Sequence, residues 1–263
     1  MSFDLLHALE IAKKAVAAAA EVALPYWEQG VIVETKADLS PVTAADRESE
    51  AVILRILSDA YPNFSVLAEE SGARDGDPTR RWIVDPIDGT RGFTRGGKFW
   101  GALVGLEIDG DIVAGAMGVP ALGDFYWAAK GHGAYKNGHR LQVSMIDRWD
   151  LATVSLGEMG PLLSPPHGHT ITELIRTAAS ARCYGDVMGA ALVLNGLADV
   201  WLEAGVKPWD LAPSRILLEE AGGRFTTFRG DTHLNHGTAI GSNGRLHTHA
   251  LERLAGAGSV ISH

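Results

Sequence analysis

Cysteine is nearly absent: Cys183 stands alone among 263 residues, which excludes an intramolecular disulfide and suits a reducing cytoplasm. With no supporting context, that thiol reads as a packing residue rather than a nucleophile. No apolar run approaches the roughly 18 residues of a membrane span. The stretch Ala15 to Leu24 is shorter, contains Glu21 and lacks a signal-peptide cleavage pattern. Positive charge is in deficit, with 23 Lys and Arg against 32 Asp and Glu and a net charge of −9. This argues against a nucleic-acid partner, and it is awkward for an anionic substrate unless cations neutralise a local acidic cluster. Several phosphate chemistries lack their motifs. No glycine-rich loop ends in Lys-Ser or Lys-Thr, so nucleoside triphosphate binding is not indicated. Cys183-Tyr184-Gly185 is not an Arg-terminated nucleophile loop, and Asp85 and Asp88 are separated by both Pro86 and Ile87, too far for an aspartyl-phosphate pair. His247-Thr248-His249 has no further ligands nearby in sequence and reads as solvent-facing.

What is present is a chain of ordinary composition, long enough for one large domain or two intimate halves. Its most informative stretch is Asp85-Pro86-Ile87-Asp88-Gly89-Thr90. Arg81 to Val84 reads as a buried strand that Pro86 bars from regular continuation. Two carboxylates then crowd one turn, an arrangement that a hard divalent cation such as Mg²⁺ would relieve. Gly89 allows close backbone approach and Thr90 offers a hydroxyl. From these six residues alone, an Asp-rich turn explains the pattern equally well. Three other segments add weight: Glu69-Glu70 after the apolar run Phe64 to Leu67, Asp210 in Lys207-Pro208-Trp209-Asp210, and Asp46 in Pro41-Val42-Thr43-Ala44-Ala45-Asp46.

Periodicity places a first helix on Leu5, Leu9, Ala12, Val16 and Ala20, capped by Asp4 or Ser2 and ending between Pro25 and Gly30. Val31 to Val33 reads as a strand. Thr43 and Asp46 form a capping box for a second helix with Val52, Ile56 and Leu57 inward, and this alone accounts for Asp46. Strands follow at Trp100 to Ile108, Ile112 to Val119 and Asp124 to Ala129, with turns at Asp109-Gly110 and Asn137-Gly138. Gly131 to Gly138 reads as scaffolding. A strand at 151–156, a loop to His169, helices at 171–179 and 187–197 and a strand at 200–203 complete the second half. Pro213 is expected in the first turn of a helix after Asp210. The halves divide at 141–150, giving units 1–145 and 146–263.

The acidic segments, in their order and spacing, resemble the inositol monophosphatase family of Mg²⁺-dependent, lithium-sensitive phosphatases over nearly the whole chain. The resemblance implies an α/β fold of alternating layers (αβαβα), usually a homodimer. It implies that Glu69, Asp85 and the Ile87 carbonyl hold one Mg²⁺, that Asp85, Asp88 and Asp210 hold a second, and that Glu69 serves a third. Thr90 paired with Asp46 would orient the attacking water, with Lys36 beside it. Backbone N–H groups at Gly89 and Thr90 would bind phosphate, and Asp210 would border the substrate. Glu203 matches a position that contacts the alcohol, although a surface carboxylate at a strand end accounts for it too. In Arg182-Cys183-Tyr184-Gly185-Asp186, the Gly-Asp pair is the pattern of the family's histidinol-phosphate phosphatases. Arg182, Asp186 and Glu203 would then suit a substrate bearing ammonium and imidazole, although Asp186 also reads as a helix N-cap. The implied reaction is hydrolysis of L-histidinol phosphate. The alternatives are an inositol-1-phosphatase, a broad sugar-phosphate phosphatase and a regulatory protein-binding relative. Two positions depart from the family pattern: Gly92 stands for asparagine and Pro213 for alanine.

Overall fold

The computed structural model describes residues 3–37 and 41–257. Helix α1 (Leu5–Gln29) is capped by Asp4, which accepts from His7 N–H at 3.0 Å; Ser2 lies outside the described residues. Its buried stripe of Ala8, Leu9, Ala12, Ala15, Val16, Ala19 and Ala23 is built mainly of alanine, so neighbouring backbones approach closely. Val31 to Val33 do not form the expected strand. The extended pairing falls on a ribbon of β1 (Glu34–Thr35) and β2 (Pro41–Val42), and Ile32 is left 89% exposed without a ladder partner. Helix α2 (Ala44–Ala60) has the capping box expected at Thr43 and Asp46, but its inward face is rotated. Ser49, Glu50, Ile53 and Leu57 are buried, whereas Val52 and Ile56 are only partly so.

The first sheet runs through β3 (Phe64–Ala68), β4 (Gly72–Arg74) and β5 (Asp77–Asp88), then the short α3 (Thr90–Phe93). It continues through β6 (Gly101–Ile108), β7 (Asp111–Val119), β8 (Asp124–Ala129), β9 (Gly133–Lys136) and β10 (His139–Arg140). Its order is β10-β9-β8-β7-β6-β5-β3-β4, antiparallel except for β3 with β5. Pro86 does not end β5. The strand passes through it with a register break against β6 between Asp85 and Asp88, which is how a chain accommodates a residue with no ladder donor.

The second half contains β11 (Thr153–Leu156), α4 (Met159–Leu163), α5 (Gly168–Thr177), β12 (Ser180–Arg182), α6 (Asp186–Leu194), β13 (Val200–Ala204), α7 (Pro208–Glu220), β14 (Arg224–Thr226), β15 (Thr238–Ser242) and α8 (His247–Ala257). Its sheet has the order β12-β11-β13-β15-β14. Helices α1 and α2 cover one face of the first sheet, α6 and α7 lie between the sheets, and α5 and α8 cover the far face of the second. These are the alternating αβαβα layers.

Helix α7 starts earlier than the sequence suggests. Pro208, with no N–H to leave unsatisfied, takes its first position. Asp210 is therefore inside the helix, and Pro213 falls beyond the first turn. Pro213 meets a flat seat made by Gly105 and Gly115, which pair across β6 and β7. A Cβ on Gly115 would stand 2.8 Å from Pro213 Cα, and one on Gly105 would stand 2.7 Å from Ala212 Cβ. Two expectations fail on burial. Cys183 is exposed. His247 is fully buried, between Thr226 Oγ1 at 2.9 Å and Ser242 Oγ at 2.8 Å.

Candidate active site

The alternation of β5 aims its acidic end. Trp82 and Val84 pack toward α1 and α2, Ile83 packs toward α7, and Asp85 shares the Ile83 face. From α7, Asp210 meets it. Asp210 sits in the first turn, where its Oδ2 accepts from Lys207 N–H at 2.8 Å and the helix dipole favours negative charge. Carboxylate oxygens of Asp85, Asp88 and Asp210 lie within 4.8 Å of one another. Asp85 is 1% exposed, and its Oδ1 accepts from Ile87 N–H at 3.0 Å. Asp88 is buried, and its Oδ2 has no hydrogen-bond partner among the described residues.

Burial, with the charges of Glu69, Asp88 and Asp210, raises the pKa of Asp85 well above the usual carboxylate range. Burial and the charges of Asp186 and Asp210 do the same to Asp88. Asp210 is pushed up to about 7, chiefly by burial, against the opposing Lys207 N–H. Two buried carboxylates and a partly buried third, without a cation in contact, repel one another and forgo hydration. An orphaned carboxylate oxygen in an all-oxygen cluster fits a hard divalent cation.

Glu69 directly follows the neighbouring strand β3 and stands beside Asp85, but its carboxylate is engaged by Lys36 Nζ at 2.9 Å. Lys36 also binds Glu70 at 2.6 Å. Burial alone would lower the Lys36 pKa; the hydrogen bonds to Glu70 and Glu69 outweigh it and raise it. Glu70 is nevertheless pushed up to about 7, since its own burial and the charge of Glu69 exceed the help from Lys36. Glu50, a buried α2 carboxylate absent from the sequence reading, accepts from Glu70 and Ser71 N–H at 2.8 Å each and pins this acidic loop.

Asp46 is fully buried and accepts from Thr43 N–H at 2.7 Å and Thr43 Oγ1 at 2.6 Å. Its other oxygen lies 3.2 Å from Thr90 Oγ1, which is also 2.9 Å from the Ile87 carbonyl. Thr90 has one proton for two acceptors, so it can redirect that proton. Gly89, just before it, adopts φ +82°, where a side chain would strike the Phe99 carbonyl.

A cavity of about 200 Å³ opens here, lined by Pro41, Glu69, Gly89, Thr90, Arg91, Glu158 and Asp186. Asp186 does not cap α6, whose first turn receives no side-chain bond from it. It adopts φ +51°, a left-handed conformation costly for aspartate, with Oδ2 3.4 Å from where a Cβ on Gly89 would stand. Its surface toward the cavity is exposed, yet the protein crowding its carboxylate raises its pKa, with the Glu158 charge adding and Arg91 opposing. Glu158 and Arg91 escaped the sequence reading, because only the folded loops bring them to Asp186.

The remaining candidates are placed differently. Glu203 is 3% exposed and does not line the cavity. It lies under Gly157 and Gly185, accepting from Glu158 N–H at 2.9 Å and Trp201 Nε1 at 3.1 Å, and burial pushes it up to about 7. Arg182 is exposed on β12, donates to the Ala181 carbonyl, and is not brought to the cavity.

This acidic centre between two sheets coincides with a profile match over residues 4–258 to the inositol monophosphatase family. The chain belongs to that family. Among curated relatives, a histidinol-phosphatase of Chlorobaculum parvum is 37% identical, covering 91% of this chain and 92% of the relative. An inositol-1-monophosphatase of Mesorhizobium japonicum is 35% identical, covering 82% of this chain and 83% of its own length. The solved inositol monophosphatase of Anabaena superposes with a TM-score of 0.83 at 29% identity, covering 96% of each chain. Family membership over nearly the full length gives the Asp85, Asp88 and Asp210 cluster its chemical setting, since the family is metal-dependent.

Proposed function

We propose that this protein is a Mg²⁺-dependent phosphate monoester hydrolase acting on L-histidinol phosphate to yield L-histidinol and phosphate. The observation that carries the substrate assignment is Asp186, held at φ +51° on the cavity wall without a capping role. Backbone strain at an exposed carboxylate is consistent with a functional demand, and an anionic wall of Asp186 and Glu158 complements an ammonium and an imidazole better than a neutral polyol. Glu203 acts from beneath, fixing the Glu158 backbone.

Glu69, Asp85, the Ile87 carbonyl, Asp88 and Asp210 are the residues that would hold two or three Mg²⁺. Bound there, Mg²⁺ supplies charge neutralisation on the phosphate and a lowered pKa for water. Thr90, backed by Asp46, orients the attacking water and passes its proton toward the Asp46 carboxylate. Lys36 holds Glu69 and Glu70 in place, and N–H groups of Gly89 and Thr90 take phosphate oxygens. A cytoplasmic homodimer belongs to the same proposal, supported by the lone thiol and the family resemblance.

Phosphate release in the presence of Mg²⁺ tests the assignment by comparing kcat/KM for L-histidinol phosphate and myo-inositol 1-phosphate. A preference of about 100-fold for the former, about 2.7 kcal/mol in transition-state binding, is expected. Preference for the inositol ester would refute the histidinol assignment and favour the second reading, which the 35% identity to an inositol-1-monophosphatase supports.

A further inference from the structure

A hollow of about 430 Å³ adjoins the catalytic cavity, lined by Pro41, Arg91, Gly92, Thr94 and Arg95. The two spaces share Pro41 and Arg91. Neither guanidinium makes an ion pair or side-chain hydrogen bond among the described residues, and Arg91 acts on Asp186 only through its charge. Another arginine-lined hollow, with Arg81 and Arg215, differs on this point: Glu107, Asp111 and Glu219 already neutralise it.

The segment carrying Arg91 and Arg95 is built as a rigid ring. Gly92 N–H donates to the Gly89 carbonyl at 2.9 Å, Gly96 N–H to Phe93 at 3.0 Å, and Gly97 N–H back to Gly92 at 2.9 Å. Trp27 Nε1 of α1 ties down the Gly97 carbonyl at 2.6 Å, and Phe93 packs edge-on against Trp100. A side chain on Gly97 would stand 2.9 Å from the Gly92 carbonyl, so the ring closes only on glycine. Two guanidiniums without an ion pair among the described residues are thereby presented at the mouth of an acidic cavity, in a protein of net charge −9. A planar fork of donors on a preorganised loop is the chemistry that binds phosphate oxygens.

We propose that Arg91 and Arg95 form a second anion subsite, of the phosphate class, outside the acidic centre. This rests on the phosphatase reading but not on histidinol phosphate as its substrate. The occupant is either the phosphate released by hydrolysis or the second phosphate of a bisphosphorylated ester.

Calorimetric titration of inorganic phosphate into the Mg²⁺-loaded full chain is the test, and because it needs no turnover it stands or falls apart from the substrate assignment. Two phosphate sites are expected, one of them weakened about tenfold by Arg95→Gln. A single site, or a second site indifferent to Arg95→Gln, would overturn the proposal. Competition separates the two sources. If a bisphosphorylated polyol binds more than about tenfold tighter than its monophosphate, and Arg95→Gln removes the gain, the subsite takes a second ester phosphate. If the two polyols bind alike while inorganic phosphate fills two sites, the subsite takes the released phosphate.

Discussion

Single residues in this protein are set by what surrounds them more than by their own chemistry. Asp85 is an ordinary carboxylate made costly by burial beside Glu69, Asp88 and Asp210. Replacing it with asparagine removes one buried charge while keeping an oxygen for the Ile87 N–H. The Asp85→Asn variant is therefore expected to melt higher than wild type in EDTA, to lose the stabilisation that Mg²⁺ gives wild type, and to lose phosphate release. Thermal melts with and without Mg²⁺ check all but the last, which the phosphate assay reads; unchanged turnover would refute a ligand role for Asp85. His247 shows the opposite sign of burial. Desolvation, helped by the Arg224 charge, pushes it down to about 4. The unfolded chain, titrating near 6.5, takes that proton more readily. Its contribution is thus fully present above about pH 6.5 and is lost as pH falls toward 4, by about 3 kcal/mol at most. Urea midpoints at pH 7 and pH 5 should fall further for wild type than for His247→Gln.

Between elements, the decisive joint is α7 on the first sheet. Helix α7 carries Asp210 to Asp85 only because Gly105 and Gly115 present no side chains to Ala212 and Pro213. Gly115→Ala sets a Cβ against backbone, which cannot swing aside, so about 1–3 kcal/mol of destabilisation is expected in urea unfolding. Any tilt of α7 also moves Asp210, so Mg²⁺ binding measured by calorimetry should weaken in the same variant. A stability loss with Mg²⁺ affinity intact would show that the seat supports packing alone. The capping box on α2 works on the same scale: it starts the helix at Thr43 and, through Asp46, reaches Thr90 across the structure.

At the scale of the whole molecule, the middle apolar core draws on Ile83 and Leu103 from the first sheet and on Leu217, Trp201 and Ala239 from the second half. Sheets that share such a core cannot lose it separately, so urea unfolding followed by fluorescence and by far-UV dichroism should give one coincident transition. Two separated transitions would mean that units 1–145 and 146–263 fold independently. Much of this organisation was legible in the sequence, because local patterns encode local structure. The Thr43–Asp46 cap, the Asp109-Gly110 turn, the strands from Gly101 to Ala129 and the acidic segments at Glu69, Asp85 and Asp210 all follow from spacing and residue type. The same spacing, with the resemblance it carries, led to the layered α/β fold. What lay beyond it depends on neighbours distant in the chain. Val31 to Val33 have strand composition but no ladder partner, Cys183 is exposed, and His247 is enclosed by Thr226 and Ser242. Arg91 reaches Asp186 only when the two halves close, and Glu158 only when the loops of the second half fold together. Sequence alone determined which groups the protein has for chemistry; the tertiary structure decided which of them lose water and face one another, since burial and through-space charge belong to the packed molecule and not to the order of residues.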